Sequence, residues 1–195
     1  MPKKAGIVII AAGAVLILSA LLLFLYNRSE DAQAGQDAER LLADVEAAVT
    51  QSLDPDMPVV TIDGYGYVGY LEIPALELKL PVMDDWDYTR LRIAPCRQFG
   101  SSRTDDLVIA AHNYRSHFGR LKELNEGDAV VFTDMAGVVN DYSVVKVETL
   151  APTDVDAVQN SGCDLVLYTC TPGGQTRVTA FCTRTAAASP QPTDN

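Results

Sequence analysis

Cys170 and Arg177 have the residue types and the spacing of a nucleophile and its charged partner. Cys170 ends the apolar run DLVLYTC, and Arg177 begins the run RVTAFCTR after an intervening Pro-Gly-Gly. If the two runs pair as an antiparallel hairpin across residues 171–176, these side chains lie opposite each other, with Cβ atoms about 5 Å apart. A neighbouring cation lowers the pKa of a thiol, and a guanidinium can hold a developing oxyanion. The spacing therefore predicts an activated cysteine.

Two histidines could act as acid and base beside this cysteine. His112 ends LVIAAH, a continuous apolar run that is typical of a strand covered on both faces, so its side chain can face a cleft. His117 lies in the polar segment NYRSHFGR and is predicted to face solvent. We therefore predict that His112 is the acid–base residue. A hydrogen-bonded structural imidazole is the alternative interpretation of His112.

The other cysteines, Cys96, Cys163 and Cys182, raise the question of disulfides. Strand alternation predicts that Cys163 and Cys182 point away from the face of Cys170 and Arg177, because each lies an odd number of positions from that pair. A Cys163–Cys182 bridge is one hypothesis, and buried free thiols are the other. Cys170 is expected to be unpaired in both cases, and no Cys-x-x-Cys spacing indicates zinc.

An uncharged apolar segment, residues 5–26, lies near the N-terminus. As a helix it would be about 33 Å long, which is enough to cross the hydrocarbon core of a bilayer. Lys3 and Lys4 precede it, so we expect this end to stay in the cytoplasm and the rest to be exported. The alternative is a cleaved signal peptide, since residues 32–34 (AQA) resemble a cleavage site. Because apolar regions of signal peptides span only about 7–15 residues, we favour a single-pass anchor.

The composition of the exported part excludes one class of partner. Without Lys3 and Lys4 the chain has 13 basic and 26 acidic residues, a net charge of −13. Binding to nucleic acid requires basic surface to contact phosphates, so we expect no nucleic-acid partner.

Patterning divides the chain into five regions. They are a basic cytoplasmic end (1–4), the anchor (5–26), a helical or flexible stalk (27–64), a strand-rich domain (65–184) and a disordered tail (185–195). The strand-rich domain has seven segments with strand patterning: YVGYLEI, LELKLPV, LVIAAH, AVVFTD, YSVVKVETL, DLVLYTC and RVTAFCTR. Short helices are predicted at DDWDYTRLR and PTDVDAVQ. This spacing of strands predicts a single β-barrel or sandwich.

Several of these segments together resemble the sortases. VIAAHNY with His112, then HFGRLKELNEGDAVVF, then LYTCTPGGQTRV with Cys170 and Arg177 follow the order of that family, and IPALELKLPV resembles its early strands. The hallmark of the family is Thr-Leu-x-Thr-Cys. Here Val166 replaces the first threonine, while the leucine, the second threonine and the cysteine match. The resemblance extends over about residues 65–184 and is to class B or D enzymes.

The resemblance implies a mainly β fold, a closed barrel of about eight strands with short helices and an N-terminal transmembrane helix. It implies a cysteine transpeptidase on the outer face of a Gram-positive-type cell membrane. Such an enzyme cleaves the C-terminal sorting motif of surface proteins through a thioester and transfers the acyl end to an amine of the cell wall or of a pilin. In that scheme Cys170 is the nucleophile, His112 the acid and base, and Arg177 the oxyanion partner, while Thr169 supports the active-site wall. No cofactor or metal is expected.

Two other classes of function are alternatives. One is another extracytoplasmic cysteine acyl-transfer enzyme, such as an L,D-transpeptidase or a protease. L,D-transpeptidases carry a Ser-His-Gly-Cys type motif, and LYTC lacks that histidine; papain-like proteases place the cysteine before the histidine, the reverse of the order here. The second alternative is a non-catalytic anchored β-domain that acts as an adhesin.

Overall fold

The computed structural model describes residues 3–50 and 56–185. The chain forms two compact units, Met1–Gln33 and Ala34–Asn195. Helix α1, Lys3–Ala48, contains residues of both units. The predictions for residues 1–2 of the basic end and for the tail from residue 186 concern residues outside the described ranges.

The first unit contains the predicted anchor. Residues 5–26 are helical, and their large apolar side chains from Ile7 to Tyr26 are exposed. Within the described residues, one helix is long and apolar enough to cross a membrane, with a mean hydropathy of 3.0 over its most apolar window. The length and composition of this helix therefore fit a membrane span.

The last turns of α1 belong to the second unit and pack on its strands. Ala34, Ala38 and Val45 are at most 4% exposed, and Glu46 forms an ion pair with Lys79 over 2.6 Å. The predicted helix in the stalk is therefore present as far as Ala48. The helix is stabilised here because small and apolar residues at helical spacing give it a buried face.

Within residues 56–185, nine strands follow the helix, two more than the patterning predicted. They are β1 (Val60–Ile62), β2 (Tyr65–Ile73), β3 (Leu78–Met83), β4 (Cys96–Phe99), β5 (Leu107–Ala111), β6 (Ala129–Asp134), β7 (Val139–Leu150), β8 (Leu165–Cys170) and β9 (Arg177–Arg184). The missed strands are β1 and β4. Both are short, and the CRQF of β4 lacks an alternating apolar pattern.

Short helices connect the strands. Helix α2 spans Val155–Gln159, as predicted for PTDVDAVQ, and single turns of 3-10 helix occupy Pro74–Leu76, Arg90–Arg92 and Leu121–Glu123. The predicted helix at DDWDYTRLR is wrong except for its 3-10 turn. Asp87 explains the difference, because its carboxylate accepts hydrogen bonds from the backbone N–H groups of Thr89 and Arg90 and so stabilises a turn.

Eight of the strands close into a barrel, as the fold expectation required. Their order is β2-β3-β4-β5-β8-β9-β7-β6, and β6 pairs back to β2, while β1 adds to the outside of this ring beside β2. The pairs β3–β4 and β5–β8 are parallel and the remaining pairs are antiparallel. Closure removes the free edges that an open sheet would present, apart from that of β1.

Strand alternation separates an inner from an outer apolar cluster around β8. Leu165 and Leu167 belong to the inner cluster in the barrel, whereas Val166 belongs to an outer cluster with Val108 and Phe181. The connection from β7 to β8, which contains α2, passes outside the barrel, because β9 lies between these two strands. Its Val158 packs on the outer cluster, so the strand that ends at the predicted nucleophile is covered on both faces.

Asp134 at the end of β6 is a buried carboxylate that anchors the turn into β7. It is 0% exposed, and its Oδ1 accepts hydrogen bonds from the backbone N–H groups of Ala136 and Val138 at 2.9 and 3.0 Å. Its Oδ2 lies 2.7 Å from Nη2 of Arg103. A buried carboxylate is stable only with such partners, so this network ties the β6–β7 turn to the loop before β5.

We predict that Asp134→Ala lowers the free energy of unfolding by about 2–4 kcal/mol, because it leaves two backbone N–H groups without an acceptor and the Arg103 guanidinium without its counter-charge. Denaturant unfolding of the full chain in detergent micelles measures this value. Glu148→Ala, which breaks the exposed Lys146–Glu148 ion pair, is the matched control and should change it by less than about 0.5 kcal/mol. Equal losses in the two variants would contradict the role of Asp134.

Candidate active site

The parallel pairing of β5 with β8 sets the positions of the predicted acid–base residue and the predicted nucleophile. Ala111, the last residue of β5, pairs with Thr169, and the next residues along the chain are His112 and Cys170. The Thr169 hydroxyl donates a hydrogen bond to the carbonyl oxygen of Ala111 at 2.9 Å. Neighbouring strands lie about 4.8 Å apart, so His112 and Cys170 leave the barrel side by side.

Thr169 itself is directed into the barrel rather than into the site. Its side chain is 3% exposed, and its position in β8 alternates with that of the exposed Cys170. The Thr169 side chain therefore joins the ends of β5 and β8 within the barrel. It contacts the backbone of β5 at Ala111 and does not face the row of His112, Cys170 and Arg177.

The hairpin of β8 and β9 has the register that the sequence predicted, with Cys170 opposite Arg177. The backbone N–H of Thr171 donates to the carbonyl of Thr176 at 3.0 Å. In antiparallel strands hydrogen-bonded and non-hydrogen-bonded pairs alternate. Thr171 and Thr176 form a hydrogen-bonded pair, so the neighbouring Cys170–Arg177 pair is non-hydrogen-bonded. In such pairs the Cα atoms are about 4.5 Å apart and the side chains are closest.

Gly173 and Gly174 make the tight connection of this hairpin possible. Their φ angles are +84° and +72°, in the left-handed region that residues with a Cβ rarely adopt. The Thr171 and Thr176 side chains close the base of the loop, with their hydroxyl oxygens 3.0 Å apart. The loop thus returns the chain with Arg177 beside Cys170.

The guanidinium of Arg177 is held by backbone carbonyl groups of the same loop. Its Nη1 donates to the carbonyl oxygens of Gly174 and Thr176, each at 3.0 Å. Such bonds fix the position of a permanent positive charge at the end of β9 and leave other N–H groups of the fork for a ligand.

The three predicted residues thus lie in one row at the same end of three neighbouring strands. The order across the sheet is His112 after β5, Cys170 at the end of β8 and Arg177 at the start of β9. Cys170 is exposed, so its thiol is accessible to a substrate.

The loop after His112 contradicts one expectation. His117, predicted to face solvent, is 0% exposed. The loop folds back, with the backbone N–H of Phe118 donating to the carbonyl of His112 at 3.3 Å, so the polar segment NYRSHFGR is not an open surface loop. The Tyr114 ring contacts both imidazoles, with its centroid 4.1 Å from that of His112 and 5.5 Å from that of His117.

A cavity of about 220 Å³ lies beside Arg177, on the outer face of β8. Its lining is mostly apolar, with Arg177, Asp154 and Gln98 as polar members; the other lining residues are Trp86, Leu150, Ala151, Pro152, Val155, Val158 and Tyr168. The crossover with α2 forms one wall of the cavity. Sequence reasoning missed this cavity, because its lining comes from four separate segments that carry no common motif.

Tyr168 lines the cavity and also interacts electrostatically with Cys170 and Arg177. Burial raises the pKa of Tyr168 to about 12, with Arg177 acting in the opposite direction and Cys170 in the same direction. Its hydroxyl is therefore neutral at physiological pH and can donate a hydrogen bond into the cavity. Among the residues that the structure describes, no group of three or more His, Cys, Asp or Glu could hold a metal ion.

All four cysteines are free thiols, in different environments. Burial raises the pKa values of Cys96 and Cys182 to about 12. Cys182 belongs to the inner cluster, whereas Cys163 precedes β8 and packs against the outer cluster. Cys163 and Cys182 were predicted to point to the same face of the sheet, and this is wrong for Cys163. Strand β8 begins only at Leu165, so its alternation does not extend back to Cys163. The structure therefore lends the Cys163–Cys182 bridge no support.

Alkylation of the native chain should distinguish these thiols. At about pH 8, where an unperturbed thiol with a pKa of about 8.5 is partly ionised, iodoacetamide should label Cys170 first and Cys163 more slowly. Cys96 and Cys182 should react only after denaturation, because burial both shields them and suppresses their thiolates. Mass spectrometry of the digested chain identifies which cysteines carry the label at each time. Labelling of Cys182 at the rate of Cys170 would contradict this order, and failure of Cys163 and Cys182 to react in denaturant until reductant is added would show that they are bridged.

Comparisons with known proteins agree with this arrangement. The family model of the sortase domain matches residues 71–185, more than half of the chain. Sortase C1 of Streptococcus agalactiae is 26% identical with a TM-score of 0.55, over 65% of this chain and 72% of that one. Comparison with curated protein sequences gave no match.

Two further solved structures share the fold. Sortase C of Streptococcus pneumoniae is 23% identical with a TM-score of 0.56, over 83% of this chain and 91% of that one. The sortase D5 transpeptidase of Clostridium perfringens is 15% identical with a TM-score of 0.62, over 77% of this chain and 99% of that one. With the family model and the barrel described above, these findings establish that the chain belongs to the sortase family of transpeptidases.

Proposed function

We propose that the chain is a membrane-anchored cysteine transpeptidase that cleaves a C-terminal sorting motif of exported proteins and transfers the acyl end to an amine. The observation that supports it most strongly is the row of His112, Cys170 and Arg177 across the ends of β5, β8 and β9. A nucleophile, an acid–base group and donors that stabilise an oxyanion support acyl transfer through a thioester, and the fixed guanidinium of Arg177 can supply those donors.

In the first half of the reaction the Cys170 thiolate attacks the scissile carbonyl carbon. The carbonyl oxygen becomes an oxyanion, which the Arg177 guanidinium stabilises with N–H groups that its loop contacts leave available. The C–N bond then breaks, and the imidazolium of His112 gives its proton to the leaving amine. The products of this half are a thioester on Cys170 and the released C-terminal segment.

In the second half an acceptor amine attacks the thioester carbonyl. Neutral His112 takes the proton of the amine, and the C–S bond breaks to release the Cys170 thiolate. The site then again holds a thiolate and an imidazolium, so the cycle consumes no further reactant. We propose that the amine belongs to the cell wall or to a pilin. The description of the pneumococcal sortase C in terms of pilin substrate specificity supports the second source.

We propose that the cavity beside Arg177 receives the substrate residues that precede the scissile bond. It lies on the same outer face of β8 as Cys170, and its apolar lining includes the half-exposed Trp86. An apolar pocket with a few polar groups is the usual construction of a site for a short peptide.

The proposed location is the outer face of a Gram-positive-type membrane. Residues 5–26 would cross the bilayer with residues 1–4 in the cytoplasm, because Lys3 and Lys4 precede the apolar segment. The stalk (27–64) would then place the catalytic domain (65–184) outside the cell, ahead of the tail (185–195). The substrates would be surface proteins that carry the sorting motif.

A peptide-library cleavage assay with hydroxylamine or oligoglycine as acceptor tests the proposed activity. The full chain in detergent micelles should cleave one class of peptide and form the acceptor adduct. Cys170→Ala should abolish both products, because no other thiol lies in the row of strand ends. Cys163→Ala removes a half-buried thiol outside the row and should retain activity within about twofold, because Cys163 does not contact the row. Full activity of Cys170→Ala would contradict the proposal.

The dependence of kcat/KM on pH should be bell-shaped. The rate rises as Cys170 loses its proton and falls again as His112 loses its own, because both the thiolate and the imidazolium are required. With unperturbed pKa values of about 8.5 and 6.5, only ~1% of the molecules would hold both forms between these values. A rate that stays flat from about pH 5 to 10 would contradict the pairing.

A further inference from the structure

The loop from His112 to Gly119 holds three aromatic rings in contact. The His112 imidazole and the Tyr114 ring are stacked, with centroids 4.1 Å apart and planes inclined by 8°. The imidazole of His117 approaches Tyr114 edge-on, with centroids 5.5 Å apart and planes inclined by 64°. The Tyr114 ring therefore has one face on the proposed acid–base residue and a second contact with a buried histidine.

The backbone of this loop fixes the position of Tyr114. Its carbonyl oxygen accepts hydrogen bonds from the N–H groups of His117 at 3.0 Å and of Gly119 at 2.8 Å. A Cβ on Gly119 would lie only 2.5 Å from the carbonyl oxygen of Asn113 and 2.7 Å from that of Tyr114, so this close turn requires glycine. Phe118, which is 0% exposed, anchors the same loop in the inner cluster.

The ring of Tyr114 has consequences for both the orientation and the charge of His112. The backbone of His112 is held by the end of β5 and by the hydrogen bond from the Phe118 N–H to its carbonyl, but these contacts do not set the orientation of its ring. A stacked partner limits the rotation of the imidazole about its side-chain torsions. The face of a phenol ring also attracts a cation, so the stack favours the imidazolium over the neutral imidazole.

We propose that Tyr114 is a positioning residue that orients His112 and stabilises its imidazolium form, with the buried His117 supporting the Tyr114 ring through its edge contact. The inference rests on the proposed function, in which His112 gives a proton to the leaving amine. It assigns a role to the buried His117, which the reaction itself does not use. Other titratable and charged groups near His112 are Arg115 in the same loop, Cys170 on β8 and Arg177 one strand further. Helix α1 approaches the loop at Gly35, where an added Cβ would lie 3.1 Å from that of Ser116.

Histidine NMR tests the proposal without any substrate. The chain has two histidines, so a sample of the full chain in detergent micelles with histidine labelled with ¹³C at Cε1 alone gives two ring signals, and His112→Ala identifies that of His112. Tyr114→Leu removes the ring. It should abolish the ring-current shift of the His112 signal and lower its titration midpoint by about half a pH unit, the size expected from loss of a cation–π contact.

The control variants separate the ring from its hydroxyl and from general damage to the loop. Tyr114→Phe keeps the aromatic face and should retain both NMR signatures. Arg115→Ala, an exposed position of the same loop, should leave them unchanged. If Tyr114→Leu does not fold, as judged by circular dichroism, Tyr114→Met replaces it with a flexible apolar side chain. An unchanged midpoint and chemical shift in the folded variant without a ring, or equal changes in Tyr114→Phe, would overturn the proposal.

Kinetics distinguish failure of this inference from failure of the proposed function. In Tyr114→Leu the limb of the kcat/KM profile whose midpoint follows the pKa of His112 should move to lower pH, because the imidazolium loses its proton earlier. This is the acidic limb when the His112 pKa is the lower of the two and the basic limb when it is the higher. The value of kcat should fall by about three- to tenfold with KM unchanged. A wild-type chain that cleaves no peptide would refute the function but leave the NMR result to decide the role of Tyr114. An active wild type with an unmoved limb in the variant would refute the inference alone.

Discussion

The parallel pairing of β5 with β8 is the constraint on which the rest of the site depends. Ala111 and Thr169 are in register and joined by the Thr169 hydroxyl, so the residues that follow them leave the barrel at the same level. A shift of one residue in this register would turn Cys170 into the barrel interior. The chemistry of the site therefore depends on a contact that is itself buried.

The other elements extend this pair into a complete site. The hairpin with Gly173 and Gly174 places Arg177 beside Cys170, on the side away from His112. The pairing of β6 with β2 closes the barrel whose strand ends carry these residues. The crossover with α2 covers the outer cluster and forms a wall of the cavity beside Arg177. A rigid barrel thus carries the reactive groups at strand ends, while the connecting loops line the space for a substrate.

The parts that sequence patterns predicted are those governed by local periodicity. The Cys170–Arg177 register followed from the length of one hairpin and the alternation of its strands, and the structure confirms it. The solvent exposure of His117 was predicted wrongly, because a polar sequence gives no sign that its loop folds back on itself. The direction of the Cys163 side chain was predicted wrongly, because β8 begins two residues after Cys163. Trp86 was missed as a cavity residue, because it meets Tyr168 and Arg177 only through tertiary packing.

Capture of the acyl-enzyme tests the central claim most directly. The full chain is mixed with a cleavable peptide at low acceptor concentration, quenched in acid and digested, and the peptide that contains Cys170 is analysed by mass spectrometry. The account predicts the added mass of the acyl fragment on Cys170, with loss of that mass on treatment with hydroxylamine. Product formation with the added mass on another residue, or with no covalent intermediate in a quench that preserves thioesters, would contradict it.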